Sequence, residues 1–164
     1  MTLRALLLAC TGAIAFPLAD AGTDPVGRAR LGVCGAALGA IASIDLAEHR
    51  VPNRIVLPAA AACAALSAVG DVSAAALLGG VAIVGVPLLI ALAWPAALGM
   101  GDVKLALLIV LGLDGDASRA LTAGLLLAAL SGVVVIARHG RAAGRQALPL
   151  APFLAVGSLL TLLP

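Results

Sequence analysis

Residues 31–45 read LGVCGAALGAIASID, fourteen uncharged residues followed by an aspartate. Similar uncharged runs follow one another along the chain, at residues 5–19, 55–70, 72–101, 105–113, 120–137 and 147–164. A helix that spans a bilayer needs about 20 mainly apolar residues. The shorter runs must therefore recruit flanking polar residues, which places Asp45 and Asp102 near the membrane boundary. We predict an all-α fold, a polytopic transmembrane helical bundle of six or seven spans.

The overall composition also indicates a lipid environment. Of the 164 residues, 63% are hydrophobic and 11% charged, and the mean hydropathy is +1.19, whereas a soluble domain is about 45–50% apolar and about 25% charged. Two Phe, one Trp and no Tyr argue against nucleic-acid binding by base stacking. Three scattered cysteines without a C-x-x-C pair argue against zinc and redox sites. We expect one membrane-embedded domain, residues 1–164, without cofactor or metal.

Two segments allow more than one interpretation. Arg4 and the apolar residues after it resemble a secretory signal peptide, but in a chain of spans a first spanning helix is favoured. The run 72–101 is long enough for one span ending near Trp94 and Pro95, because proline stops a helix. A compact span would then start at Asp102.

The distribution of Lys and Arg predicts the orientation, because cytoplasmic loops are enriched in these residues. With seven spans and the N-terminus inside, the basic residues on the cytoplasmic side are Arg4, Arg50, Arg54, Lys104, Arg138, Arg141 and Arg145. Those on the other side are Arg28, Arg30 and Arg119. This orientation places Asp45 and Asp102 on the same, cytoplasmic, face.

The first candidate functional residue is Asp45, which closes an uncharged run. Pro52 then fixes the chain before the next span begins at about Asn53, which is available as an N-cap. For Asp45, a solvated loop and a functional role are equally good interpretations. For Glu48 and His49 the solvated loop is favoured.

The second candidate lies in GMGDVKL, residues 99–105. Gly99 and Gly101 allow the backbone to turn and approach closely, and Asp102 starts a helix whose first N–H groups are unpaired. Such a string is common by chance and also fits a plain helix cap. It becomes informative because a second acid lies at the same membrane face.

Two carboxylates that face each other at low dielectric share one proton. In aspartic proteolysis one of them activates water as a base, and the other polarises the scissile carbonyl and protonates the leaving amine. Asp102 at a helix N-terminus is favoured as the anion, and Asp45 at a helix C-terminus as the acid. A coupled pair titrates jointly, so the division of roles stays open.

Three strings together resemble the type IV prepilin peptidase family, in that family's order: Ile44-Asp45 with Val51-Pro52-Asn53, then GMGDVKL at 99–105, then LPLAPFL at 148–154. The resemblance implies a membrane aspartic endopeptidase that removes the short basic leader of prepilin-like precursors, cutting after a Gly before their hydrophobic helix. It implies Asp45 and Asp102 as the catalytic pair. Gly99, Gly101, Pro52 and Asn53 would support the motifs, and residues 149–153 would frame the site. Lys104 would bias the charge of Asp102 or act as a plain interfacial anchor.

The resemblance also implies a location and partners. The chain would be a multi-pass protein of the inner (plasma) membrane with its site facing the cytoplasm. Its partners would be the lipid bilayer and a prepilin-like substrate with a hydrophobic N-terminal helix. A type IV pilus, a protein-secretion machine and a DNA-uptake apparatus stay open as the system served, as does the oligomeric state.

The chain departs from larger family members in two respects. It has no room for their cysteine-bearing segment, which predicts a peptidase-only form without a separate methyltransferase domain. Asn53 stands where some members have an acid. Three other interpretations remain: a small transporter or proton relay that uses the same acids, a presenilin-like protease, which shares only the Gly99–Asp102 string, and a structural assembly protein.

Overall fold

A computed structural model describes residues 3–19, 24–69, 74–94, 99–140 and 149–163. Within these ranges the chain is all-helical and contains no β-strand, as predicted. The α-helices are α1 (Leu3–Ala19), α2 (Pro25–Glu48), α3 (Asn53–Val69), α4 (Ala74–Ala93), α5 (Met100–Leu113), α6 (Ala117–His139) and α7 (Ala151–Leu162). A 3₁₀ turn at Asp114–Asp116 joins α5 directly to α6, so the seven α-helices form six helical runs. Asp114 has a positive φ of 47°, which breaks the helical path between the two.

Local signals extend α2 beyond its uncharged run at both ends. At the start, the Asp24 side chain accepts a hydrogen bond of 3.0 Å from the Gly27 backbone N–H, and Pro25 occupies the first turn, where its missing N–H costs nothing. At the end, His49 adopts the left-handed conformation and its N–H bonds to the Asp45 carbonyl. Asp45 therefore lies inside the last turn of α2.

The start of α5 differs by two residues from the predicted position. Gly99 is the N-cap in an extended conformation, and the Asp102 N–H bonds to the Gly99 carbonyl at 3.0 Å. Asp102 is thus the third helical residue. The preceding helix ends at Ala93, close to the predicted Trp94.

Glycines set how closely the helices pack. A Cβ atom at Gly35 or Gly39 of α2 would collide with the backbone of α1 at Gly12 or Leu8. On the other side of the bundle, a Cβ atom at Gly157 of α7 would collide with α6. Small residues that let helix backbones touch are typical of helix packing in membranes.

The contacts show that α2 and α5 run antiparallel through the core. Cys34 of α2 packs on Gly112 of α5, and Leu38, Ile41, Leu105 and Leu108 are fully buried. The end of α2 therefore lies beside the start of α5. We call this end of the bundle the acid end, because it contains Asp45 and Asp102.

The opposite end is held together by a charged network. Arg30 of α2 forms an ion pair with Asp114 and donates a hydrogen bond of 3.1 Å to the hydroxyl of Ser67 on α3. The Ser67 hydroxyl in turn donates to the Leu111 carbonyl of α5 at 3.4 Å. Three helices of the core are thus connected far from the two acids.

Within the part of the chain that the structure describes, two helical stretches are long and apolar enough to cross a membrane, by length and composition: Pro25–Glu48 and the run Met100–His139. The outer face of α6 also exposes large apolar side chains, among them Leu130 at 62% and Val133 at 64%. Apolar side chains that face outward in this way mark surfaces that contact a membrane or a partner. These features indicate membrane association. The prediction of six or seven spans goes beyond them.

The close approach of α1 and α2 can be tested with a pair of glycine substitutions. We expect Gly35→Ala to destabilise the protein by about 1–3 kcal/mol, the usual cost of overpacking. Gly85→Ala is the control, because a Cβ atom there meets nothing within 4 Å. With the exposed Cys10 replaced by serine in every variant, thermal unfolding in detergent can be followed with a thiol-reactive dye, because Cys34 and Cys63 are buried. Equal melting temperatures for both variants would contradict the close packing.

Candidate active site

The structure brings both predicted acids to one cavity. Asp45 is 6% exposed, and Asp102, in the first turn of α5, is half-buried. Both carboxylic acids line a cavity of about 360 Å³ at the acid end. Its lining residues are Asp45, His49, Arg50, Val51, Gly99, Gly101, Asp102 and Leu150.

Asp45 is held by a helix that lies far away in the sequence. The Ala151 backbone N–H donates a buried hydrogen bond of 2.9 Å to Oδ2 of Asp45. Ala151 is the first residue of α7, where backbone N–H groups have no partner inside their own helix. The string at 148–154 therefore contributes a backbone donor to Asp45, and Leu150 lines the cavity.

This hydrogen bond corrects the helix-end argument for the two roles. That argument placed Asp45 at the end of α2 and considered only the negative end of that helix. The Asp45 carboxylate also lies at the N-terminus of α7, where the helix dipole favours an anion. Both acids thus lie at helix N-termini, and the dipole no longer distinguishes Asp102 as the base.

The two motif glycines have different surroundings. A Cβ atom at Gly101 would lie 3.1 Å from the Val51 side chain, tighter than ordinary van der Waals contact. A Cβ atom at Gly99 would meet its nearest neighbour, Oδ2 of Asp102, at 3.7 Å, which is ordinary contact. Gly101 is therefore the glycine that lets α5 approach the loop between α2 and α3.

Lys104 and Asn53 connect α5 to α3 beside the acids. The Lys104 ammonium donates a hydrogen bond of 2.8 Å to Oδ1 of Asn53. Asn53 is the first residue of α3, and the Pro52 carbonyl accepts hydrogen bonds from Ile55 and Val56. The Asn53 side-chain oxygen thus binds Lys104, in place of the predicted N-cap role.

Sequence reasoning passed over two residues of the cavity. His49 and Arg50 are exposed, as a solvated loop would be, yet both line the acid cavity. His49 has a φ of 52°, uncommon for a residue other than glycine. In the sequence, only their position between Asp45 and Pro52 could have identified these two residues as part of the site. Glu48, by contrast, is exposed and is not among the lining residues.

A metal centre has no support in the described part of the chain. No group of three or more His, Cys, Asp or Glu side chains is placed there to hold a metal ion. The chemistry that this geometry can perform is acid–base chemistry by two neighbouring carboxyl groups.

The hydrogen bond between Ala151 and Asp45 can be tested by two replacements of the acid. Asp45→Asn keeps a carbonyl oxygen that can accept the N–H, whereas Asp45→Leu leaves this buried donor unpaired. We expect Asp45→Leu to cost about 1–3 kcal/mol, and Asp45→Asn clearly less, in thermal unfolding in detergent. Equal melting temperatures for the two variants would show that this hydrogen bond does not hold α7 in place.

Comparison with known proteins identifies the family. No curated protein and no solved structure matched the chain in the corresponding searches. The profile of the type IV leader peptidase family matches residues 32–137, more than half of the chain, and this range includes Asp45 and Asp102. The 148–154 string lies beyond it. The chain belongs to the type IV leader peptidase family.

Proposed function

We propose that this protein is a multi-pass membrane aspartic endopeptidase that removes the short basic leader from prepilin-like precursors. The observation that supports this most strongly is the shared cavity of Asp45 and Asp102, which come from different helices. Membership of a peptidase family supports hydrolysis of a peptide bond. The precursors would serve a type IV pilus or a related protein-secretion system.

The two carboxyl groups have different roles in hydrolysis, one as a base and the other as a proton donor. The ionised one takes a proton from a water molecule, which attacks the scissile carbonyl carbon, while the protonated one donates a hydrogen bond to the carbonyl oxygen. When the tetrahedral intermediate collapses, the carboxyl group that polarised the carbonyl gives its proton to the leaving amine, so that one of the two groups is again ionised. Because the Ala151 N–H donates a hydrogen bond to Oδ2 of Asp45, we assign proton transfer at Asp45 to its other oxygen, Oδ1.

The charges at the two ends of the bundle support an active site at the cytoplasmic face of the inner (plasma) membrane. Among the described residues, the helix ends and loops at the acid end contain Arg4, Arg50, Arg54, Lys104 and Arg138. The opposite end contains Arg28, Arg30 and Arg119 together with Asp24, Asp114 and Asp116. The excess of basic residues at the acid end fits a cytoplasmic location. Arg141 and Arg145, which also entered the prediction, lie outside the described residues.

We propose that the chain forms a bundle of six or seven spans, in which α2 and α5 run antiparallel through the core. The acids at the end of α2 and the start of α5 would then lie near the membrane boundary, where water can reach them. A transporter or proton relay needs acids with access from both sides of the membrane. Here both acids lie in terminal helical turns at one end, which fits hydrolysis better than transport.

Co-expression with a candidate prepilin tests the proposed function. We expect leader removal, seen as a shift in gel mobility, to be lost in Asp45→Asn and in Asp102→Asn, because each variant lacks one of the two proton-transfer groups. Asp116→Asn is the matched control, since Asp116 forms an exposed ion pair with Arg119 at the opposite end. Processing that survives both substitutions in the cavity would refute the proposal.

The difference between the two glycines predicts a second activity measurement. We expect Gly101→Ala to lower kcat/KM by about tenfold or more, because the new methyl pushes α5 and Asp102 away from Val51. Gly99→Ala should stay within about threefold of the parent protein, because its Cβ meets only ordinary contacts. The opposite ranking would show that the close approach at Val51 does not position Asp102.

A further inference from the structure

A second cavity begins where the acid cavity ends. It encloses about 440 Å³, within the usual size range of ligand pockets. Asp102 and Leu150 line both cavities, so the two cavities adjoin at Asp102. We call the second cavity the apolar groove, because its other lining side chains are aliphatic apart from two hydroxyl groups.

One wall of the apolar groove is a regular stripe on α4. Ile83, Val86, Pro87 and Ile90 line it, at the i, i+3, i+4, i+7 spacing that places side chains on one helix face. Such a stripe extends over about 10 Å along the helix. This length corresponds to two helical turns of a bound peptide.

The facing wall repeats this spacing on α6. Ser118, Leu121, Thr122 and Leu125 line the groove. On the floor, Ala106 lies one turn after Asp102 on α5, and its small side chain leaves room next to the carboxyl group. The groove is therefore a channel between an aliphatic stripe on α4 and a stripe on α6 that alternates leucines with hydroxyl side chains, and Asp102 lies at one end of it.

We propose that the apolar groove binds the hydrophobic segment that follows the scissile bond of the substrate, and that its α6 wall contributes to substrate specificity. The inference rests on the proposed function. A peptide whose scissile carbonyl reaches Asp102 must extend from there in two directions. In one direction the peptide would meet the apolar walls of the groove. In the other direction it would meet the acid cavity, which the exposed His49 and Arg50 line. Burial in the groove suits the apolar side of the cut, and the leader would lie at the polar side.

Neighbouring leucines on α6 provide a matched pair of positions for the test. Leu125 lines the groove and is 51% exposed, and Leu126 is outside it and 59% exposed. Both positions accept a larger side chain at the outer surface. A tryptophan at 125 would enlarge a side chain that lines the groove, while a tryptophan at 126 would enlarge one that lines a different, more open cavity on the same helix.

Kinetic measurements on two substrates separate the groove from the acids. For a full prepilin-like precursor in detergent, we expect Leu125→Trp to raise KM by about tenfold, a typical effect of a changed hydrophobic contact, and Leu126→Trp to leave it unchanged. For a short peptide that contains the leader and the scissile bond but lacks the hydrophobic segment, both variants should match the parent protein. Equal effects of both variants on the precursor would overturn the proposal and indicate a groove filled by lipid chains. An equal loss on both substrates would also overturn it, by placing the effect at the acids.

Cross-linking tests the groove without requiring catalysis. In an Asp102→Asn background with Cys10→Ser, and with copper phenanthroline and dissolved oxygen as the oxidant, we expect Leu125→Cys to form a disulfide with a cysteine in the hydrophobic segment of the precursor. Leu126→Cys should cross-link several-fold less. Equal cross-linking at both positions would overturn the groove proposal. If Leu125→Cys alone cross-links but the parent protein does not cleave the precursor, the proposed function fails, while binding of a hydrophobic segment in the groove is still supported.

Discussion

The hydrogen bond from the Ala151 N–H to the Asp45 carboxylate is the contact on which the site depends. It is buried and joins the last turn of α2 to the first turn of α7, and the two bonded residues are 106 positions apart in the chain. An unpaired buried N–H would cost about 1–3 kcal/mol, so the start of α7 and Asp45 hold each other in place. Asp45 then faces Asp102 across a cavity that both acids line.

Close helix packing at the acid end makes this arrangement possible. Gly101 allows the first turn of α5 to lie against Val51, and the hydrogen bond from Lys104 to Asn53 ties α5 to α3. At the other end of the bundle, the ion pair between Arg30 and Asp114 ties α2 to the end of α5. A shift of α5 along α2 or along α3 would therefore break a polar contact.

Much of this architecture follows from local sequence signals. Uncharged runs bounded by Asp, Pro and Gly predicted the helices, because lipid-facing helices exclude charges and these residues favour helix ends. The GMGDVKL string and Asp45 were identified as site residues, and the structure places both acids at one cavity. The two-residue error at the start of α5 arose because Gly99 caps the helix through its backbone conformation, without a side-chain signal.

Long-range contacts could not be predicted in this way. The pairing of Asp45 with the start of α7 depends on how the helices pack, so the sequence suggested only a framing role for residues 149–153. The same applies to His49, whose place in the cavity depends on its left-handed backbone at the end of α2. The apolar groove combines side chains from four helices, and no single stretch of sequence indicates it.

The most direct test of the account is whether positions 45 and 102 are neighbours in the folded protein. In a chain with Cys10, Cys34 and Cys63 replaced by serine or alanine, the pair Asp45→Cys and Asp102→Cys is treated with a short bifunctional thiol reagent. We predict efficient intramolecular cross-linking. The control pair Asp45→Cys and Asp116→Cys should not cross-link, because Asp116 lies at the opposite end of the bundle, where it forms an exposed ion pair with Arg119. Equal cross-linking of the two pairs, or none at positions 45 and 102, would contradict the shared active site.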